Sequence, residues 1–169
     1  AQAAALTRAD GRAGKRAFIH NAQGFDVSVL DLTAPLPAPR NRARFQLEPV
    51  RSFEVARDPL PEQAARGRRL FTYAPNQAVG GPRRFACASC HPDGRNDGLT
   101  WQVSVGPRQT PILADRLHQT GPFNWLGTEA KLEDNIVQTI RRLGGTGISR
   151  DDVAALSLYI TRYLPGLDN

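Results

Sequence analysis

The sequence predicts a mainly α domain of about three helices with long loops, preceded by a β-hairpin and a proline-rich linker. Three observations carry that expectation. Apolar residues recur at helical spacing in two late segments, and they alternate in two short runs near the start. Between them stand six prolines: Pro35, Pro37, Pro39, Pro49, Pro59 and Pro61.

Each element follows from its residues. Residues 1–33 form the first zone, where Lys15 to Leu32 alternates apolar and polar positions on either side of the turn-forming Asn21 to Gly24, the pattern of a β-hairpin. Residues 34–60 read as an extended linker, because proline fixes φ and removes a backbone donor. The third zone, 61–169, is helical and loop-rich. Its first helix opens at Pro61, a residue suited to the first helical position, and carries Gly67, Leu70 and Phe71 on related faces. A second helix spans Thr128 to Leu143, with Leu132, Ile136, Val137, Ile140 and Leu143 at helical spacing and Gly144-Gly145 as its stop. Ser149 caps the last helix, where Val153, Leu156, Ile160 and Leu164 form a stripe.

Composition narrows the function classes. The 169 residues are 40% hydrophobic, enough for a real core, and no apolar run approaches the ~20 residues of a membrane helix. The net charge is +6, and nearly all of the positive charge is arginine, Lys15 and Lys131 being the only lysines. These arginines are scattered, without the focused basic face or interleaved aromatics of a nucleic-acid binder. Anionic lipid or an acidic protein partner stays open for such a surface.

One motif is specific: Cys87-Ala88-Ser89-Cys90-His91. Two thiols three positions apart reach the two vinyl groups of one haem as thioethers, and the adjacent imidazole falls under the iron. A structural zinc site would need four ligands, and beyond this cluster only His20 and His118 remain. A redox dithiol wants a strand-to-helix setting that the surrounding Gly/Pro-rich sequence does not offer. A plain disulfide leaves His91 unexplained. The expected cofactor is therefore one covalent haem c, with His91 as the proximal iron ligand.

From about Gln63 to Leu164 the chain resembles a class I-like cytochrome c domain, on the Gly67 to Phe71 helix, the haem motif and the closing helix from Asp151 to Leu164. It is similar in more detail to the C-terminal haem domains of bacterial dihaem cytochrome c peroxidase relatives. Thr110-Pro111-Ile112-Leu113, the turn Pro122-Phe123-Asn124-Trp125-Leu126-Gly127 and the helix from Leu132 carry that likeness. The chain departs from the family in having one haem motif and no methionine. Thr139, Ile140 and Leu143 stand around the place of the usual Met ligand. The first zone resembles one β-propeller repeat, which implies a second chain or a propeller domain as partner.

The resemblance implies a periplasmic or extracellular, bacterial location and a function in carrying single electrons between protein partners. The alternative is a peroxidase-like or small-ligand-binding enzyme part with an open iron site, for which Glu129, Glu133 and Asp134 are the acidic candidates. For the sixth iron position the candidates are His118, His20, another donor, water or nothing. Trp101, Phe123 and Trp125 are candidates to pack on the porphyrin, Arg108 to pair with a propionate, and the Pro111 carbonyl to accept from the second nitrogen of His91.

Overall fold

A computed structural model describes residues 2–7, 13–21, 24–32 and 49–164 of the chain. The chain divides into two compact units, Ala1–Pro59 and Leu60–Asn169. The mainly α expectation is overturned. The described residues form five α-helices and two small sheets, an α/β mix rather than a mainly α cytochrome fold.

The first unit holds a four-stranded antiparallel sheet. Its strands β1 (Gln2–Thr7), β2 (Ala13–Asn21), β3 (Asp26–Asp31) and β4 (Arg51–Glu54) lie in sequence order. The expected hairpin is the β2–β3 pair, in register from Arg16 opposite Asp31 to Asn21 opposite Asp26. The Asn21 amide locks the turn by donating to Asp26 at 3.0 Å and to Ser28 at 2.8 Å. Two further strands complete the sheet, for a physical reason: a two-stranded hairpin is marginal alone, and both its edges carry unpaired donors. β4 falls within the stretch read as linker, because Arg51-Ser-Phe-Glu54 lies between prolines but contains none. The linker residues 33–48 lie outside the described residues.

In the second unit, α1 (Glu62–Thr72) starts one residue after Pro61, which occupies the N-cap. Ala64, Gly67, Leu70 and Phe71 form its buried face. There follow α2 (Gln77–Gly80), the one-turn α3 (Cys87–Cys90), and a small hairpin of β5 (Thr100–Val103) and β6 (Gly106–Gln109). That hairpin was not expected. Its signal is Thr100, Trp101 and Val103 running into a two-residue turn closed by Gly106 at φ +92°.

The last two helices are α4 (Leu132–Arg142) and α5 (Arg150–Leu158). α4 begins four residues later than its spacing suggested, because Phe123 and Glu129 pair backbones ahead of it. It ends in a Schellman motif: Gly144, at φ +83°, donates to Arg141, and Gly145 donates to Ile140. The stripe Val153, Leu156, Ile160 and Leu164 is buried as expected, against Phe71, Leu132, Ile136 and Ile140.

Ser149 caps α5 by accepting from the Asp152 N–H at 3.1 Å, and its hydroxyl donates to the Asp152 carboxylate at 2.9 Å. Arg66 of α1 donates to the other Asp152 oxygen at 2.6 Å. That bond, above all, holds the Asp152 carboxyl below its ordinary value. Because the folded value lies below the unfolded value of about 3.9, the contribution is complete above that pH and fades as pH falls through the folded value. Acid titration followed by circular dichroism should therefore show a flatter loss of stability below about pH 4 in Asp152→Asn than in the wild type. Ser149→Ala should cost about 1 kcal/mol at neutral pH.

Candidate haem site

Cys87, Cys90 and His91 are held by α3 and the turn after it. A one-turn helix places residues i and i+3 on the same side, so both thiols share one face. The Ser89 side chain stabilises the turn by accepting from the Ala86 N–H at 3.0 Å, and the His91 N–H donates to the Cys87 carbonyl at 2.9 Å. Next comes Gly94, at φ +75°, packed so closely on Leu164 that a Cβ there would lie 2.5 Å from its side chain. The Gly94 carbonyl accepts from Leu113 at 2.8 Å and Ala114 at 3.1 Å. Those two bonds lay the Thr110 to Leu113 stretch beside His91.

Cys87, Cys90 and His91 together line one cavity of about 140 Å³. Its other walls are mostly aliphatic, including Val79, Leu113, Leu132, Ile136, Leu156 and Ile160. A second cavity of about 350 Å³ also has His91 in its wall, with Pro111, Leu113, Phe123, Trp125 and Arg142. This is the size range of small-molecule and cofactor sites, about 300–1,000 Å³. Thr139, Ile140 and Leu143 all line the first cavity.

The electrostatics of the motif separate its readings. Burial pushes the Cys87 thiol up to about 12. Cys90 is raised as well, by burial and then by Asp97, with Arg142 opposing. A reactive dithiol needs the opposite shift, so these are not activated nucleophiles. Burial lowers His91 and keeps its imidazole neutral, the metal-binding form, while the Arg95 and Pro111 carbonyls pull the other way. The buried His91 Nδ1 has no partner of good hydrogen-bond geometry. An orphaned ring nitrogen beside a backbone carbonyl is the arrangement that becomes satisfied when a metal fixes the ring. Among the described residues no group of three or more His, Cys, Asp or Glu side chains could hold a metal ion. The residues present fit a covalent haem.

The other candidates are distributed unevenly. Pro111, Phe123 and Trp125 line the second cavity with His91. Trp101 and Arg108 face each other across the β5–β6 hairpin, and neither lines the described cavities. Trp101 donates to Asp97 at 2.8 Å, and Arg108 donates to the adjacent Pro107 carbonyl at 2.8 Å. His118 is exposed and lines none of the described cavities, although its neighbours Arg116 and Leu117 line the second. His20 lies in β2 of the other unit. Glu133 accepts from Ser157 at 2.6 Å, which joins α4 to α5, and Asp134 is exposed.

Comparison with known proteins adds no relative. No family model, no curated protein and no solved structure matches the chain. The site's own geometry therefore carries its interpretation. That geometry also brings in Asn135 and Arg142, which the sequence reading passed over. Their signal was available: Asn135, Thr139 and Arg142 are polar residues at i, i+4 and i+7 beside the aliphatic stripe of α4.

Proposed function

We propose that this chain is a monohaem c-type cytochrome module that carries single electrons between protein partners outside the cytoplasm. The observation that carries the reading is the convergence of both thiols and the His91 imidazole on one aliphatic cavity. Cys87 and Cys90 would hold the haem through thioethers, and His91 would ligate its iron. When bound, the haem supplies a one-electron couple. The chain's own residues orient and insulate it. The turn at Gly94 fixes His91 against the Pro111 segment, the aliphatic wall excludes water, and the net charge of +6 favours an acidic redox partner. Among the described residues no helix is long and apolar enough to cross a membrane. The periplasmic or extracellular assignment rests on the resemblance to c-type cytochromes.

A specific observation favours a second reading, a small-ligand-binding haem site. The walls of the two cavities containing His91 offer no further histidine and no lysine, and the chain has no methionine. With haem bound, those walls would offer no further imidazole, amine or thioether to compete with a small ligand.

Spectroelectrochemical titration of the purified protein tests the function. The expected result is a reversible one-electron couple at a potential below that of Met/His cytochromes, since a Met ligand raises it. Because His118 is exposed and outside the cavity walls, His118→Ala should leave both spectrum and potential unchanged. Absence of a reversible couple would contradict electron transfer, and conversion to a different spin state in His118→Ala would make that histidine a ligand.

A further inference from the structure

The β5–β6 hairpin joins two backbone segments that flank His91, and Asp97 closes its base. The chain enters from Gly94 to Asp97, leaves at Gln109 opposite Thr100, and runs on through Thr110 to Pro111. The Arg95 and Pro111 carbonyls, one on each segment, both lie beside the His91 ring. Asp97 comes two residues after the first, and its carboxylate reaches Thr110, one residue before the second.

Three donors hold that carboxylate. One oxygen accepts from the Leu99 N–H at 3.0 Å and the other from the Trp101 indole N–H at 2.8 Å, while the buried Thr110 hydroxyl is the third donor. The turn between them is made by Gly98, at φ +71°, whose N–H donates to the Asn96 side chain at 3.1 Å. Desolvation pushes the Asp97 carboxyl up, but the three donors together outweigh it and hold the group below its ordinary value. Asp97 is therefore a fixed negative charge at neutral pH. Burial dominates the shifts of Cys90 and His91, and Asp97 contributes to both, with Arg142 opposing it at Cys90.

We propose that Asp97 is a positioning residue for His91 that also lowers the reduction potential of the haem, with Trp101 as the clamp that fixes it. It ties together the two segments beside the imidazole and places a negative charge near the iron ligand. The inference rests on the haem reading and deepens it. Both effects have the same sign. A negative charge favours the ferric state, which carries one more positive charge than the ferrous. A ring held against a backbone carbonyl is the more basic ligand, which favours the ferric state again.

The test is the midpoint potential of the haem-loaded protein by spectroelectrochemistry, with thermal unfolding of the same samples. Asp97→Asn keeps the shape and one acceptor oxygen while removing the charge. It should raise the potential until the ferric-to-ferrous ratio at a fixed poise falls about three- to tenfold, which at 59 mV per tenfold is about 30–60 mV. Asp97→Glu should restore part of the shift. Trp101→Phe, which keeps the carboxylate but removes its clamp, should move the potential the same way by less, and it decides alone where Asp97→Asn yields no loaded protein. Asp151→Asn, an equal loss of charge at the exposed start of α5, should change the ratio less than about twofold. A residue that only braces the turn would lower the unfolding midpoint and leave the potential alone. That result, or equal shifts in Asp97→Asn and Asp151→Asn, would overturn the inference. A protein without haem would overturn the reading beneath it, and intact mass separates the two failures.

Discussion

The double variant Cys87→Ser, Cys90→Ser should lose covalent haem completely, while each single variant retains one thioether and a weakened attachment. A serine hydroxyl has nearly the shape of a thiol but cannot supply the sulfur of a thioether. The local turn should survive the exchange, since its Ser89 and His91 hydrogen bonds do not involve the thiols. Both cysteines are partly buried among aliphatic neighbours, so the double variant also places two hydroxyls against an apolar wall. Acid–acetone extraction followed by gel electrophoresis and haem staining reads the result. A double variant that still holds haem through extraction would mean that the cysteines are not the attachment points.

Gly67→Ala should destabilise the second unit by about 3 kcal/mol, the upper part of the range for overpacking. Two effects of opposite sign compete. Alanine is the better helix former by about 1 kcal/mol, so at an open position the change would stabilise α1. Here a Cβ would lie 2.1 Å from the Ala155 carbonyl oxygen and 2.7 Å from the Tyr159 Cβ. The first contact is with backbone, which cannot rotate away, so α1 and α5 must separate. That separation loosens Phe71, 1% exposed and packed on Tyr159 with ring centroids 5.6 Å apart and planes tilted by 60°, from the centre of the core. Thermal unfolding of the haem-loaded protein should show a midpoint lowered by roughly 10 °C or more. Gln63→Ala, on the exposed side of the same helix, should be neutral or slightly stabilising. A rise in stability on Gly67→Ala would mean that the two helices do not cross here.

What was legible in the sequence had a local physical cause. The last two helices were readable because an apolar stripe, a Ser cap and a double-glycine stop are all encoded within about 35 residues. The β2–β3 hairpin was readable for the same reason, its turn lying between two alternating runs. The rest of the first sheet was not. β1 is half alanine, a weak strand former, and β4 joins the sheet by pairing with β3 across a long, proline-rich connection. The β5–β6 hairpin was hidden because its strands are only four residues long and largely exposed, too short to set a period. Together with β1–β4 those strands make the chain an α/β mix.

The site divides in the same manner. Cys87, Cys90 and His91 are encoded by spacing within five residues. The propionate role given to Arg108 rested on closeness in sequence to Thr110-Pro111, whereas strand pairing turns Arg108 toward Trp101 on the hairpin. Arg142, on α4, lies more than fifty residues after the motif, so only the packing of that helix brings it to the cleft.

The central claim is one covalent haem held at Cys87 and Cys90. Intact mass of the denatured protein, purified from cells with working c-type maturation machinery, tests it most directly. The claim predicts the mass of the polypeptide plus one haem, with the added mass retained on the peptide containing Cys87 to His91. A mass equal to the bare polypeptide would contradict it.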